Sequence, residues 1–141
     1  MRVLTSYWWN LKRLFPDGPP PGVAIIQVSR SHRGYPAKHI IYNWHTIAPT
    51  PEESENWKHG SGKMYAKRLQ WLFKNCDNFL PLLKQFEDRY HTVILACLCR
   101  ENCHRRLVWE MAFRAVIDFD YNWSWNLGAE LEGPNGGRAK L

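Results

Sequence analysis

Long hydrophobic runs are absent from this sequence, which argues against an α-helical membrane protein. The longest apolar stretch is "TVILACLC", residues 92 to 99. It falls far short of the roughly 20 residues that a helix needs to cross a bilayer. The chain also shows no charged-then-apolar leader, no internal repeat and no low-complexity segment. We therefore expect a cytoplasmic globular protein with no membrane partner.

Cysteines and acidic residues are also few. Four cysteines occur in 141 residues, and three of them crowd into residues 97 to 103, a pattern that predicts reduced thiols in an intracellular protein. Acids number 13 against 19 lysines and arginines, so the net charge is +6 and the pI is near 9.3. This excess favours polyanionic partners such as nucleotides or nucleic acids, and an ordinary basic surface accounts for it equally well.

The sequence does contain an alternation of buried runs and amphipathic helices. Strands are predicted at residues 2–7, 23–29 and 92–98, with shorter ones within 39–44 and 118–126. Helices are predicted at residues 9–15, 50–58, 63–74, 79–90 and from 103 onward. This alternation predicts a single α/β domain over residues 1–125, a mostly parallel sheet with flanking helices, followed by a flexible tail at 126–141. The pattern does not determine the strand order.

The residues most suggestive of function follow the predicted strands at their carboxyl ends. In parallel sheets the loops converge at this edge, and the following helices point their free N–H groups towards it. The candidates at the three strand ends are Ser6 and Tyr7, then Ser29 and Arg30, then Cys99, Glu101, Cys103, His104 and Arg105. We expect them to line one crevice.

The segment "CRENCHRR", residues 99 to 106, favours an anion pocket and allows sharper hypotheses. Arg105 offers a guanidinium fork that suits phosphate or carboxylate. Cys99 and Arg105 have the C-x5-R spacing of tyrosine phosphatases, the cysteines with His104 could bind zinc, and two thiols could form a redox pair. No C-x2-C pair exists, and we predict no metal. The simplest alternative makes the thiols apolar packing and Arg105 the partner of Glu101 in a structural ion pair.

Several ordered motifs resemble those of a known family. "LTSYWWNLKRL", "VAIIQVSRSHRGYP", "IAPTPEE", "MYAKRLQWL" and "VILACLCRENCHRRLVWEMA" are similar to the phage-type and small bacterial branch of domain of unknown function 488, over residues 3 to 117. The resemblance implies an α/β fold and a site carried by Ser6, Tyr7, Ser29, Arg30, Tyr65, Cys99, Glu101, Cys103, His104 and Arg105. It implies no established reaction. The family usually has several more residues where Asn102 alone separates the glutamate from Cys-His-Arg, which weakens the phosphatase hypothesis.

These observations lead to an enzyme hypothesis with two alternatives. We expect an intracellular enzyme, or former enzyme, acting on a phosphorylated nucleotide or a nucleic-acid end, and the sequence predicts no particular cofactor. The expected roles are anion binding by Ser6, Ser29, Arg30 and Arg105, catalysis by Glu101, His104, Cys99 and Cys103, and substrate orientation by Tyr7 and Tyr65. One alternative is a non-catalytic module that grips a nucleic-acid strand through exposed Trp8, Trp9, Trp123 and Trp125. The other is a phage-style inhibitor that binds one protein partner.

Overall fold

Buried parallel strands form the centre of the molecule. The computed structural model describes residues 2–60, 62–75, 85–97 and 126–130. The strands are β1 (Arg2–Tyr7), β2 (Val23–Gln27), β3 (Tyr42–Asn43), β4 (Thr92–Cys97) and β5 (Asn126–Glu130). Every residue of β2 and β4 is buried. Their almost continuous apolar sequences suit strands that are covered on both faces.

The five strands lie in the order β3-β2-β4-β1-β5, and every neighbouring pair is parallel. Strand β4 lies between β1 and β2 although it follows both along the chain. Ala96 of β4 pairs with Ser6 on one side and with Gln27 on the other. The carboxyl ends of these three strands therefore lie side by side. The prediction of one α/β domain with a parallel sheet and flanking helices is confirmed.

Helix α1 (Trp8–Leu14) begins directly after β1 and packs against the sheet. Trp8 and Leu11 are three positions apart, so they share one face of the helix, and both are buried. Their core cluster also contains Leu4, Val23, Ile25, Tyr35, Ile94 and Ala96. Trp9, one position further on, is 52% exposed, whereas Trp8 is 1% exposed. The hypothesis that both tryptophans are exposed is thus wrong for Trp8, because the helix turns it into the core.

Helices α2 (Pro51–Lys58) and α3 (Lys63–Asn75) are linked by an ion pair between a buried glutamate and a half-buried arginine. Glu53 closes a capping box at the start of α2, in which it accepts a hydrogen bond from the Thr50 N–H at 2.8 Å and donates its own N–H to Thr50 Oγ1 at 3.2 Å. The same carboxylate accepts hydrogen bonds from Arg68 of α3 at 2.8 Å. The predicted helix start is confirmed, and its glutamate also connects two helices.

The connection after β2 is long and ordered, as expected. Two short 3-10 helices, Ala37–His39 and His45–Ile47, flank the two-residue strand β3, which confirms the predicted strand within 39–44. The predicted helix at 79–90 is described only from residue 85 onward, and residues 85–89 are helical.

The far end of the chain differs from the prediction. Strand β5 occupies residues 126–130, the first five positions of the predicted tail, and pairs in parallel with β1. The predicted strand within 118–126 and the predicted helix from 103 otherwise lie outside the described residues. Among the helices that are described, none is long and apolar enough to span a bilayer.

Candidate anion-binding site at the carboxyl ends of the strands

Half of the predicted site residues fall within the described part of the chain. Ser6 and Tyr7 end β1, Ser29 and Arg30 follow β2, and Tyr65 lies on α3. The residues predicted after β4, namely Cys99, Glu101, Cys103, His104 and Arg105, lie outside the described residues. The structure therefore shows how the predicted residues at the ends of β1 and β2 lie relative to one another. The roles of all ten predicted residues in binding or catalysis stay predictions.

A buried hydrogen-bond chain joins these two strand ends. The indole Nε1 of Trp8, the residue after β1, donates to Ser29 Oγ at 3.0 Å. Ser29 Oγ in turn donates to the Ser31 carbonyl at 2.7 Å, and Gln27 Nε2 donates to the Ser29 carbonyl at 2.7 Å. Trp8, Gln27 and Ser29 are all buried. The loop between β2 and β3, residues 28–41, is called the β2 loop. Its first residues are thus held in place from both strand ends, and the Ser29 hydroxyl acts as donor and acceptor.

A second buried pair lies at the end of β1. Asn10 of α1 donates from Nδ2 to Ser6 Oγ at 3.1 Å, and both side chains are buried. Asn10 Oδ1 has no hydrogen-bond partner within the described part of the chain. An unsatisfied buried acceptor costs about 1–3 kcal/mol. Polar groups at this edge are therefore not all satisfied by the fold.

The β2 loop then makes a tight turn that presents Arg33. The Arg33 N–H donates to Ser31 Oγ at 3.1 Å, and the Tyr35 N–H donates to the His32 carbonyl at 2.9 Å. Arg33 has φ of 48° and Gly34 has φ of 75°, so two successive residues are left-handed. For a residue with a Cβ this conformation costs about 1–2 kcal/mol. The turn holds an arginine where glycine is the natural choice.

Tyr35 anchors the far side of this turn in the core. Its buried ring lies 5.8 Å from the Trp8 ring, and its hydroxyl donates to the Phe15 carbonyl at 3.0 Å. Burial raises the pKa of Tyr35, so its hydroxyl stays protonated and remains a donor. The turn is consequently connected to α1 at both of its ends.

Positive charge is concentrated in the part of the chain that contains this turn. Residues 8–45 contain one acid, Asp17, and five lysines and arginines: Lys12, Arg13, Arg30, Arg33 and Lys38. None of the five forms an ion pair with another described residue. All five are exposed. A Cβ built on Gly34 would lie 3.6 Å from Lys12 Nζ, which brings α1 and the turn together.

Tyr65 occupies a different environment. Its buried hydroxyl donates to the carbonyl of Ile47, and the Arg68 guanidinium carbon lies 5.5 Å from its ring centre. The side chain thus helps α3 to pack on the second 3-10 helix. Its predicted role in orienting a substrate is untested.

The cysteines contribute little that can be described. Cys97, the last residue of β4, is fully buried, and the other three cysteines lie outside the described residues. Over the described ranges, no group of three histidines, cysteines or acids could hold a metal ion.

Three cations of this part of the chain, Lys12, Arg13 and Arg33, were not among the predicted site residues. Two signals in the sequence point to them. One is the charge imbalance of residues 8–45, and the other is the Arg33-Gly34 pair between polar residues, which is typical of a turn. The predicted candidates lie mainly at strand ends, whereas Lys12 and Arg13 lie on the helix that follows β1.

Comparisons with known family models, curated proteins and solved structures find no match for this chain. The resemblance to domain of unknown function 488 therefore stays a prediction, and the function rests on the residues themselves.

Proposed function

We propose that this chain binds the phosphate groups of a nucleotide or of a nucleic-acid end at the carboxyl ends of β1 and β2. The proposal rests on the five exposed cations of α1 and the β2 loop, which form no ion pair with any described residue. Like charges on one ordered loop repel one another, and a multivalent anion relieves that repulsion. Arginine suits this ligand because its guanidinium can form two parallel hydrogen bonds to phosphate.

The rigidity of the loop supports the same proposal. Ser29 and Gln27 fix its start through buried hydrogen bonds, and Tyr35 fixes its end. A ligand that binds such a loop loses little affinity to the ordering of the backbone. The left-handed Arg33 adds to this support, since strained residues are retained where the surrounding structure enforces them, often at binding sites.

Any reaction on the bound phosphate would use the residues that follow β4 in the sequence. We propose Glu101 or His104 as the acid or base, with Cys99 and Cys103 as further candidates and Arg105 as an additional phosphate ligand. These residues follow strand β4, which ends between β1 and β2. The cytoplasm predicted from the reduced cysteines is the setting that we expect.

The test is binding of inorganic pyrophosphate, measured by isothermal titration calorimetry at low ionic strength. The double variant Arg30→Gln/Arg33→Gln should weaken binding by about tenfold or more, since each charge-assisted hydrogen bond contributes about 1.5–3 kcal/mol. The matched control is Lys63→Gln/Lys67→Gln on α3, which removes the same charge from two exposed residues. It should leave the affinity within about twofold of that of the unsubstituted chain, because the net charge alone acts weakly.

An equal loss in the two double variants would overturn the proposal, because binding would then follow net charge and not a site. Failure of the unsubstituted chain to bind pyrophosphate would overturn it as well. Thermal unfolding of each variant checks that the fold is retained.

A further inference from the structure

An exposed tryptophan lies beside the proposed phosphate site. Trp9 is 52% exposed, although it directly precedes buried Asn10 and follows buried Trp8. Exposure of a large aromatic surface to water is unfavourable, and in this helix it is confined to the side opposite the core. The exposed ring offers a flat apolar surface to a ligand.

The Trp9 ring is already oriented by two neighbours. The Tyr7 ring is nearly parallel to it, with an interplanar angle of 5° and a centroid separation of 6.2 Å. The Arg13 guanidinium carbon lies 4.6 Å from the Trp9 ring centre, as expected for residues four apart on one helix. Arg13 therefore lies over part of the Trp9 ring, and the half of the side chain that stays exposed is the surface on which a flat ligand stacks. Because the two contacts orient the ring, few rotamers are lost on binding.

Lys12 connects this ring to the phosphate site. Three positions separate Trp9 from Lys12, which places them about 60° apart around α1. Lys12 Nζ in turn lies near Gly34, next to Arg33. A continuous exposed strip therefore runs from Arg33 through Lys12 to Trp9 and Arg13. Three cations and one aromatic ring lie along it.

We propose that this strip binds single-stranded nucleic acid, with an unpaired base stacked on Trp9 and the adjoining phosphates held by Lys12, Arg13 and Arg33. The inference rests on the proposed phosphate site and narrows its ligand from any phosphorylated nucleotide to a strand. Base stacking on aromatic rings combined with cations along the backbone is how proteins bind single strands without reading sequence. Stacking requires a base that is free of its complement, so a duplex is not the ligand.

A second exposed tryptophan provides an internal control. Trp71 on α3 is 63% exposed and lies four residues after Lys67 and three before Lys74. Over the described residues, however, no aromatic ring stacks on Trp71. Trp71 is thus more accessible than Trp9 but lacks the stacked ring and the neighbouring turn that distinguish Trp9.

The experiment compares two labelled oligonucleotides by fluorescence anisotropy at low salt: a thymidine 12-mer and a 12-mer with abasic sugars at every position. Both carry the same phosphates, and only the first can stack. The unsubstituted chain should bind the thymidine oligomer about tenfold more tightly, the lower end of the range for stacking of one base. Trp9→Leu should abolish this preference and leave the affinity for the abasic oligomer unchanged.

Two further variants separate the inference from the proposed function. Arg33→Gln should weaken both oligomers by the same factor and keep the preference, whereas Trp71→Leu should change neither. Equal binding of the two oligomers by the unsubstituted chain, with Arg33→Gln still weakening both, would overturn the stacking inference and leave the phosphate site standing. Absence of any effect of Arg33→Gln would overturn the phosphate site. Loss of the preference in Trp71→Leu would place the strand on α3 and overturn the inference.

Discussion

Two arginines in this molecule, Arg68 and Arg33, have opposite surroundings. Arg68 donates through Nε and Nη2 to Glu53, through Nη1 to the Thr46 carbonyl at 2.6 Å, and through Nη2 to the Ala48 carbonyl at 2.8 Å. Arg33 is exposed, and its guanidinium has no ion-pair partner among the residues that the structure describes. The first arginine is fully used by the fold, and the second is available to a ligand.

Glu53, the carboxylate partner of Arg68, is stabilised in its charged form by the same contacts. Burial raises the pKa of Glu53, but hydrogen bonds from Arg68 and Thr50 outweigh this effect and leave the pKa below its ordinary value. The hydrogen bond to Glu53 likewise raises the pKa of Arg68. The charge on an arginine therefore does not mark a binding site by itself. The difference lies in how many of its donors the protein already satisfies.

The largest effect is expected from removal of the satisfied arginine. Arg68→Met should lower the free energy of unfolding by about 3 kcal/mol, because it leaves a buried carboxylate without its counter-charge. Urea unfolding at neutral pH measures the loss, and Arg33→Met is the matched control, with an expected change within about 0.5 kcal/mol. If Arg68→Met costs less than about 1 kcal/mol, the distinction between the two arginines is wrong.

The sequence predicts those features that depend on neighbouring residues and fails for those that depend on contacts between distant parts of the chain. The Thr50 capping box is a local signal, and so are the apolar runs of β1, β2 and β4, which is why these elements were predicted close to their observed bounds. The strand order and the Glu53–Arg68 pair join residues distant in sequence. No local pattern determines them.

The tryptophans of α1 show the same limit on a smaller scale. Trp8 and Trp9 are adjacent and chemically identical, and the phase of the helix alone separates a core residue from a surface residue. The sequence signal for that phase is Leu11, because apolar residues three positions apart lie on the same face of a helix and Leu11 therefore pairs with Trp8. Strand β5 lacks any comparable signal, because pairing with a neighbour defines it and its own composition does not.

The next effect concerns the loop that carries the available arginines. Ser29→Ala should cost about 1–3 kcal/mol of unfolding free energy, because the Trp8 N–H loses its acceptor in a buried position. Pyrophosphate binding should weaken too, since the loop is released from α1. Ser31→Ala is the comparison variant, because the Ser31 side chain is exposed and only accepts from the Arg33 N–H. Equal losses of stability in the two variants would show that the buried hydrogen bond to Trp8 does not hold the loop.

A smaller effect should follow from titration of Glu53. Because its folded-state pKa lies below the ordinary value of 4.5, the carboxylate stabilises the fold above that pH, and this stabilisation is lost as the pH falls through the folded-state pKa. The loss is smaller than that in Arg68→Met, because Arg68 keeps its hydrogen bonds to two carbonyls. We expect the difference in unfolding free energy between the unsubstituted chain and Glu53→Gln to shrink on acidification. A difference that stays constant from about pH 6 to pH 3 would contradict the lowered pKa.

The smallest expected effect separates the backbone of Arg33 from its charge. Arg33→Gly removes the guanidinium and also relieves the left-handed conformation, which costs about 1–2 kcal/mol for a residue with a Cβ. Part of this gain is offset, because glycine loses about 0.5–1 kcal/mol more conformational freedom on folding. Arg33→Gln removes the charge but keeps the strain.

The glycine variant should therefore be more stable than the glutamine variant by up to about 1 kcal/mol in urea unfolding, while the two lose pyrophosphate affinity equally. Such a result would mean that the arginine is held in this turn at a cost to stability and for the sake of its charge. A glycine variant that is less stable than the glutamine variant would mean that the turn is not strained. An unchanged affinity in both would mean that this arginine, like Arg68, serves the fold.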